Sequence, residues 1–326
     1  MSSLFPAFPT FPLLLGPTPL HPLPRFSAWL GAGVEVWIKR DDLTPFGLGG
    51  NKLRKLTYLV ADALAKGATD LVTTGAAQSN HCRQTAAAAA RAGLGCHLVL
   101  RGRPDERPGG NVLLDRLFGA TLHWAGSADT TATMTAVVAG LEADGRRPYV
   151  IPLGGSTPLG AVGYAFAWLE LAAQAREVGV EFAEVLFATS SGGTQAGLAV
   201  GAAATGFGGR IHGISVDHKA TALTAVVAPL TTATAQLLGR HQAHPVIVHD
   251  AYLGGGYGVM GSAEREAILA LARCEGILTD PVYTGRGLAG LIDLARRGEL
   301  RHPVLFWHTG GAPALFAYER ELLATP

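Results

Sequence analysis

"DLVTTGAAQSNHCRQTAAAAA", residues 70–90, holds a short apolar run, a polar turn and an alanine-rich segment in immediate succession. The run reads as a strand and the alanines as a helix, with Ser79 or Asn80 placed to cap it. The same order recurs. "VEVWIKR" precedes a helix over Leu53–Lys66, a helix over Arg83–Ala92 precedes "CHLVLRG", and "TLHWAG" follows a helix over Val112–Phe118. A second series opens with "PYVIPLGG" and runs through a helix over Tyr164–Val178, "EVLFATSS", a helix over Thr194–Ala204 and "RIHGISV" to "HPVLFWHTGG". Repeated strand–helix alternation predicts an α/β protein with mostly parallel sheets and helices on their faces.

Length and punctuation set the organisation. A chain of 326 residues suggests two domains. Glycine turns at Gly49–Asn51 and Gly154–Gly160 place the seams, giving a small α/β unit over residues 51–160 inside a discontinuous larger one, 1–50 and 161–326. The proline-broken N-terminus, without Lys or Arg before Arg25, reads as an extended arm rather than a signal peptide. The charge-free stretch Val185–Gly209 carries too many Ser, Thr, Gln and Gly residues to suit a bilayer, so no membrane partner is expected.

Composition narrows the ligand. Lys and Arg number 26 against 25 Asp and Glu, a balance that argues against nucleic acid and favours a small polar ligand. Three cysteines, Cys82, Cys96 and Cys274, lie outside any CxxC pattern and read as reduced thiols in a cytoplasmic protein. The histidines show no HxxxH or HExxH spacing, so no metal is expected.

"GLGGNKLRKL", residues 47–56, puts Lys52 on the first turn of a helix marked by Leu53, Leu56, Val60 and Leu64. A cation there faces the positive end of the backbone dipole, loses its proton more easily, and becomes a nucleophile towards aldehydes. "EVLFATSSGGTQAGL" brings the N–H groups of Gly192, Gly193 and Thr194 to a helix N-terminus, a geometry that binds phosphate. It lacks the GK[ST] of a nucleotide loop, and a tight turn explains the glycines equally well. In the 70–90 turn, N–H groups of Ser79, Asn80 and His81 are placed to hold a carboxylate. Tyr257, the pair Tyr283 and Thr284, and Thr309 each stand in a turn that, taken singly, needs no ligand. Asp41 and Asp42 read as ordinary helix N-capping. A nucleophilic amine, a phosphate cradle and a carboxylate-binding turn together fit pyridoxal phosphate acting on an amino acid. A non-catalytic amino-acid-binding α/β protein is the competing class, and it leaves Lys52 unexplained.

"IKRDDLTPFGLGGNKLRKL", "GAAQSNHCRQTAA", "SSGGTQAGL", "GILTDPVYTGRGLAGLID" and "HTGG" resemble the D-cysteine desulfhydrase and 1-aminocyclopropane-1-carboxylate deaminase family from about residue 10 onward. The resemblance implies a fold-type II pyridoxal-phosphate enzyme, like the tryptophan synthase β subunit, with two open twisted α/β domains, the smaller one mobile, and a homodimer. By the same resemblance Lys52 would be the Schiff-base lysine, Asn80 would bond the cofactor's 3′ oxygen, and Ser191, Gly192, Gly193 and Thr194 would hold the phosphate. Ser79, Asn80 and His81 would grip the substrate carboxylate, and Tyr257 and Tyr283 would line the substrate side. Thr309 would face the pyridine nitrogen. The deaminase branch reads Tyr-Glu where this chain has Tyr283-Thr284, and Leu where it has His308-Thr309, which points to a weaker electron sink suited to β-elimination. The expected reaction is cleavage of D-cysteine or a β-substituted analogue to a keto acid and ammonia. L-Cysteate and the cyclopropane amino acid are the rival substrates.

Overall fold

Alternation of strand and helix runs through the whole computed structural model, which describes residues 4–104, 106, 109–127 and 129–323. In chain order it has β1 (Leu20–Pro22), α1 (Pro24–Leu30), β2 (Val36–Arg40), α2 (Lys52–Ala65), β3 (Asp70–Ala76), α3 (Asn80–Ala92), β4 (Gly95–Arg101) and α4 (Gly110–Leu117). Next come β5 (Thr121–Trp124), α5 (Thr130–Ala143), β6 (Pro148–Val150), α6 (Pro158–Glu177), β7 (Glu184–Thr189), α7 (Gly193–Thr205) and β8 (Arg210–Ser215). The chain closes with α8 (Ala220–Leu237), β9 (Val246–His249), α9 (Ser262–Glu275), α10 (Thr284–Arg296), β10 (Val304–His308) and α11 (Glu319–Leu323).

The strands form two sheets, ordered β1-β2-β10-β7-β8-β9 and β5-β4-β3-β6. Only the β1–β2 pairing is antiparallel among these strands. In the six-stranded sheet, Val185 and Phe187 of β7 join Leu305 and Trp307 of β10 on the face covered by Tyr164 and Trp168 of α6 and Leu198 of α7. Leu186 and Phe306 point the other way, against Leu271 of α9 and Leu288 and Leu291 of α10. Both faces are covered, so the central strands read as continuous apolar runs rather than alternating ones. Each such buried Leu, Val or Phe contributes about 1.5–3 kcal/mol.

In the four-stranded sheet, Leu71, Leu98 and Leu100 pack on Leu53, Leu56 and Leu59 of α2 and on Ala86, Ala88 and Ala89 of α3. The alanine run therefore serves close packing. The "PYV" strand, read from sequence as the start of the second series, is β6 and pairs with β3 in this smaller sheet. Strands β1 and β9 and helices α5 and α8 carry weak sequence signals because they are short or rich in Thr and Ala. The Val185–Gly209 stretch becomes β7 and α7, mostly buried.

A buried ion cluster joins α2 to the large sheet. Asp41 is fully buried and accepts from Arg54 Nε (3.0 Å) and Nη2 (2.8 Å), Tyr164 Oη (2.5 Å), Trp307 Nε1 (2.8 Å) and Thr18 Oγ1 (2.9 Å). Glu170 accepts from Arg54 Nη1 at 2.9 Å and from Lys39 Nζ at 2.5 Å. Burial opposes ionisation of Asp41, yet the Arg54 guanidinium prevails and holds the carboxyl below its ordinary range. The N-capping reading of Asp41 is therefore corrected: its carboxylate is spent on long-range partners. Gly163 lets α6 lie directly on α2, since a Cβ there would fall 2.1 Å from the Arg54 carbonyl oxygen.

Candidate active site

Parallel sheets collect loops at the carboxyl ends of their strands, and a cavity of about 370 Å³ opens there between the two sheets. Thr74 to Ala76 reach it from the end of β3, Thr189 to Ser191 from β7, and Thr309 and Gly310 from β10.

Lys52 opens on this cavity from the first turn of α2 and is half-buried. Its Nζ donates to Asn51 Oδ1 at 2.8 Å, Asn51 Nδ2 donates to Thr194 Oγ1 at 3.1 Å, and the Asn51 N–H donates to the Thr309 carbonyl at 2.9 Å. The two sheets thus meet at the lysine. The close approach depends on glycine, because a Cβ on Gly310 would lie 2.6 Å from Gly50 Cα. Burial pushes the Lys52 pKa down to about 8, with Arg83 adding to the shift and Asp280 opposing it. The expected direction stands, but withdrawal from water replaces the helix dipole as its leading cause.

At the second corner Gly192, with φ +84°, turns the chain into α7, so the N–H groups of Gly192, Gly193 and Thr194 gather at the helix start. Gly193 N–H donates to Ser156 Oγ at 3.1 Å, and a Cβ on Gly193 would fall 2.7 Å from Lys55 Nζ. Lys55 is 1% exposed, donates to the Gly154 carbonyl at 3.0 Å, and is held well below its ordinary pKa by burial and by Lys52. Sequence reading missed Lys55, Asn51 and Ser156. The available signal was helical spacing, since Lys55 lies one turn beyond Lys52 and shares its face.

At the third corner Ser79 caps α3, its Oγ accepting from Cys82 N–H at 3.2 Å. Its own N–H donates to the Ala76 carbonyl at 3.0 Å. That corrects the expectation of a free N–H at Ser79, which offers its hydroxyl proton instead. Thr73 Oγ1 donates to the Ile151 carbonyl at 2.7 Å, so it accepts from His81 Nε2 at 2.8 Å. Burial, Lys52 and Lys55 keep this imidazole neutral. Asn80 and His81 reach the cavity, their N–H groups lying in the first turn of α3.

Tyr257 and Tyr283 line the outer wall, and Thr309 lies at the base of β10's loop. Burial raises the Tyr257 pKa to about 12 and holds that of Tyr283 well above its ordinary value. Thr284 does not line the cavity. It is fully buried, with its hydroxyl 2.7 Å from Asp280 Oδ1, in a cap where that carboxylate also accepts from the N–H groups of Val282, Tyr283 and Thr284. Gly193 likewise sits behind the lining, facing Lys55 and Ser156. His308 is buried and structural, its Nε2 bonded to the Leu278 carbonyl at 2.9 Å. Arg101, Thr130, Asp217 and His218 complete the wall, none foreseen from the sequence. No three His, Cys, Asp or Glu side chains among the described residues are grouped to hold a metal.

Residues 12–310 match the family model described as "Pyridoxal-phosphate dependent enzyme". The chain is 46% identical over 319 residues to a D-cysteine desulfhydrase of Salmonella newport, covering 95% of this chain and 96% of that protein. Among solved structures, one titled as an ACC deaminase homologue superposes with a TM-score of 0.91 at 41% identity, covering 97% of this chain and 96% of that one. Diaminopropionate ammonia lyase of Escherichia coli shares the fold alone, at 17% identity with a TM-score of 0.68 over 94% of this chain and 86% of that one.

Proposed function

This chain belongs to the pyridoxal-phosphate-dependent enzymes of fold type II, and from that premise we propose that it is a D-cysteine desulfhydrase. D-Cysteine and one water become pyruvate, ammonia and hydrogen sulfide. The observation that carries the reading is the meeting of Lys52, Lys55, the Ser191–Gly192 turn with Thr194, and the Ser79–Asn80 turn in one cavity.

The residues fit the cofactor. Lys55 is a buried cation whose lowered pKa has no carboxylate opposing it, next to helix N–H groups and to glycines that leave room where any Cβ would clash. A phosphate supplies the missing charge. Lys52 would hold the aldehyde carbon, Ser191, Gly192, Thr194 and Lys55 the phosphate, and Asn80 the 3′ oxygen, with Thr309 near the ring nitrogen. When bound, pyridoxal phosphate supplies the electron sink that acidifies the substrate's Cα–H.

The protein does the rest. Lys52, with a pKa near 8, is able to accept and return a proton at neutral pH. The Ser79 hydroxyl and the first-turn N–H groups of Asn80 and His81 orient a carboxylate. The Tyr257–Tyr283 pair holds a proton on the substrate side of the cavity, where a leaving thiolate needs one. Thr309 places a hydroxyl, not a carboxylate, at the loop after β10, and Thr284 is withdrawn into its cap, which supports elimination over ring opening.

The test is a parallel assay of cofactor-loaded enzyme with D-cysteine, L-cysteine, L-cysteate and 1-aminocyclopropane-1-carboxylate. Pyruvate from D-cysteine is expected. Pyruvate from L-cysteate alone, or 2-oxobutyrate from the cyclopropane, would overturn the substrate.

On the same reading the enzyme is a cytoplasmic homodimer that binds neither nucleic acid nor membrane. The near-neutral charge supports the absence of a polyanion partner. Helix α8 is the one described helix long and apolar enough to cross a membrane, but it packs Leu223 and Val227 against Ala161 and Ala196. Its outer face, including Val226 and Leu237, is exposed and carries no charged residue, the character of a surface covered by a second copy. A monomeric mass by light scattering would refute the dimer.

A further inference from the structure

We infer that Asn111, on α4 and outside the cavity lining, is a positioning residue that fixes which end of the Asn80 amide meets the cofactor. The inference rests on the cofactor reading above.

The orientation follows from donor and acceptor identity alone. A backbone carbonyl only accepts, so the Asn111 atom 2.8 Å from the Gln78 carbonyl oxygen is Nδ2. That same Nδ2 lies 3.0 Å from the Asn80 side chain, so the Asn80 atom receiving it is Oδ1. Arg83 Nη2, which also only donates, approaches the same oxygen at 3.4 Å. Both acceptor directions of Oδ1 are therefore occupied from behind. Asn80 Nδ2 is left without a hydrogen bond to the described residues, on a side chain that lines the cavity. It presents two N–H donors to whatever lies in front.

Asn111 is rigid enough to impose this. It is fully buried, and its N–H donates to Gln78 Oε1 at 2.8 Å while Gln78 Nε2 donates to the Gly109 carbonyl at 3.2 Å. The start of α4 is thus clasped to the turn that precedes α3. The preceding Gly110 has φ +55°, and a Cβ there would fall 2.5 Å from Gln78 Oε1, so the clasp leaves no room for a side chain. An amide's terminal torsion has two wells of similar energy, and only its neighbours choose between them. Asn111 makes that choice. With it, a donor faces the 3′ oxygen of the cofactor and favours its anionic form; without it, the amide is free to turn an oxygen towards an oxygen.

Two variants and two readouts test this, neither of them turnover. Asn111→Ala removes the donor, and Asn111→Asp replaces it by acceptors that invite the Asn80 amide to flip. Pyridoxal phosphate affinity is measured by equilibrium dialysis, and the absorption spectrum of the bound cofactor is titrated with pH. Both variants are expected to bind the cofactor about tenfold more weakly, the loss of one charge-assisted hydrogen bond, and to shift the spectral pKa upward, Asn111→Asp the more. Asn80→Ala is expected to show the same shift, and adding Asn111→Asp to it to produce no further change. Either Asn111 variant that keeps the wild-type circular dichroism is decisive. Wild-type affinity and spectrum in such a variant, while Asn80→Ala moves both, would overturn the positioning role and leave the cofactor reading intact. A wild-type chain that takes up no pyridoxal phosphate, or gains no absorption sensitive to borohydride, would overturn both.

Discussion

The hydroxyls of Tyr257 and Tyr283 stand 2.7 Å apart on the outer wall of the cavity, so one phenol donates to the other and a single proton remains free to act on a ligand. Burial raises both pKa values, which keeps the pair protonated at neutral pH. Tyr283→Phe is expected to lower kcat/KM for D-cysteine by about 10²-fold or more while the cofactor stays bound. Tyr257→Phe, which leaves Tyr283 its proton, is expected to cost less. Steady-state kinetics with the cofactor spectrum as control decide it.

Lys52 titrates near 8 when folded and near 10.5 in an unfolded chain. A base with a depressed folded pKa binds its proton more tightly when unfolded, so it destabilises the fold at neutral pH, and the deficit closes as pH rises from about 8 to about 10.5. Apo Lys52→Met is therefore expected to exceed the apo wild type in stability by about 1–3 kcal/mol at pH 7, with the gap vanishing above about pH 10.5. Denaturant titrations at the two pH values measure it. The same variant is expected to be inactive.

Lys55 predicts opposite signs in the two states of the enzyme. Without an anion it is a buried charge close to Lys52, so Lys55→Met is expected to raise the Tm of the apoprotein. With the phosphate in place it is a partner, so the same substitution is expected to weaken pyridoxal phosphate retention on dialysis and lower the Tm of the loaded enzyme. Thermal scans with and without cofactor test both signs.

Asp115 is fully buried in α4, and burial pushes its pKa up to about 8 against the pull of Arg83. An acid whose folded pKa is raised holds its proton more tightly when folded. Its contribution is fully present below about pH 4 and is lost as pH rises towards about 8, with a slope of up to about 1.4 kcal/mol per pH unit. Asp115→Asn is expected to flatten the decline of Tm across that window and to leave the stability near pH 4 unchanged.

The alternation of strand and helix and the polar turns that end β3 and β7 were legible because each rests on local chemistry. Apolar runs give strands, Ser79 caps through its own hydroxyl, and Gly192 takes a left-handed turn that favours glycine. What escaped depends on neighbours far along the chain. Asp41 looks like a cap from its immediate sequence, yet its carboxylate is claimed by Thr18, Arg54, Tyr164 and Trp307. Lys55 and Asn111 carry no motif; one is defined by the Gly154–Gly193 corner, the other by the backbone of Gln78. Thr284 shows the converse. Its place beside Tyr283 suggests the cavity, but a helix start sends adjacent residues in different directions, and the Asp280 cap takes its hydroxyl.

The ion cluster also sets a calendar for the newly made chain. Strands β3 to β6 lie within residues 70–150, so every partner in the smaller sheet has been synthesised before half the chain is made. The Asp41 carboxylate instead waits for Trp307, 266 residues later, and β2 waits for β10. The smaller unit is expected to acquire protease resistance during synthesis, whereas the larger one closes only after the last strand emerges. Until then Arg54 and Asp41 have each other but not the roof above them, and the lysine two residues away has no finished pocket in which to react.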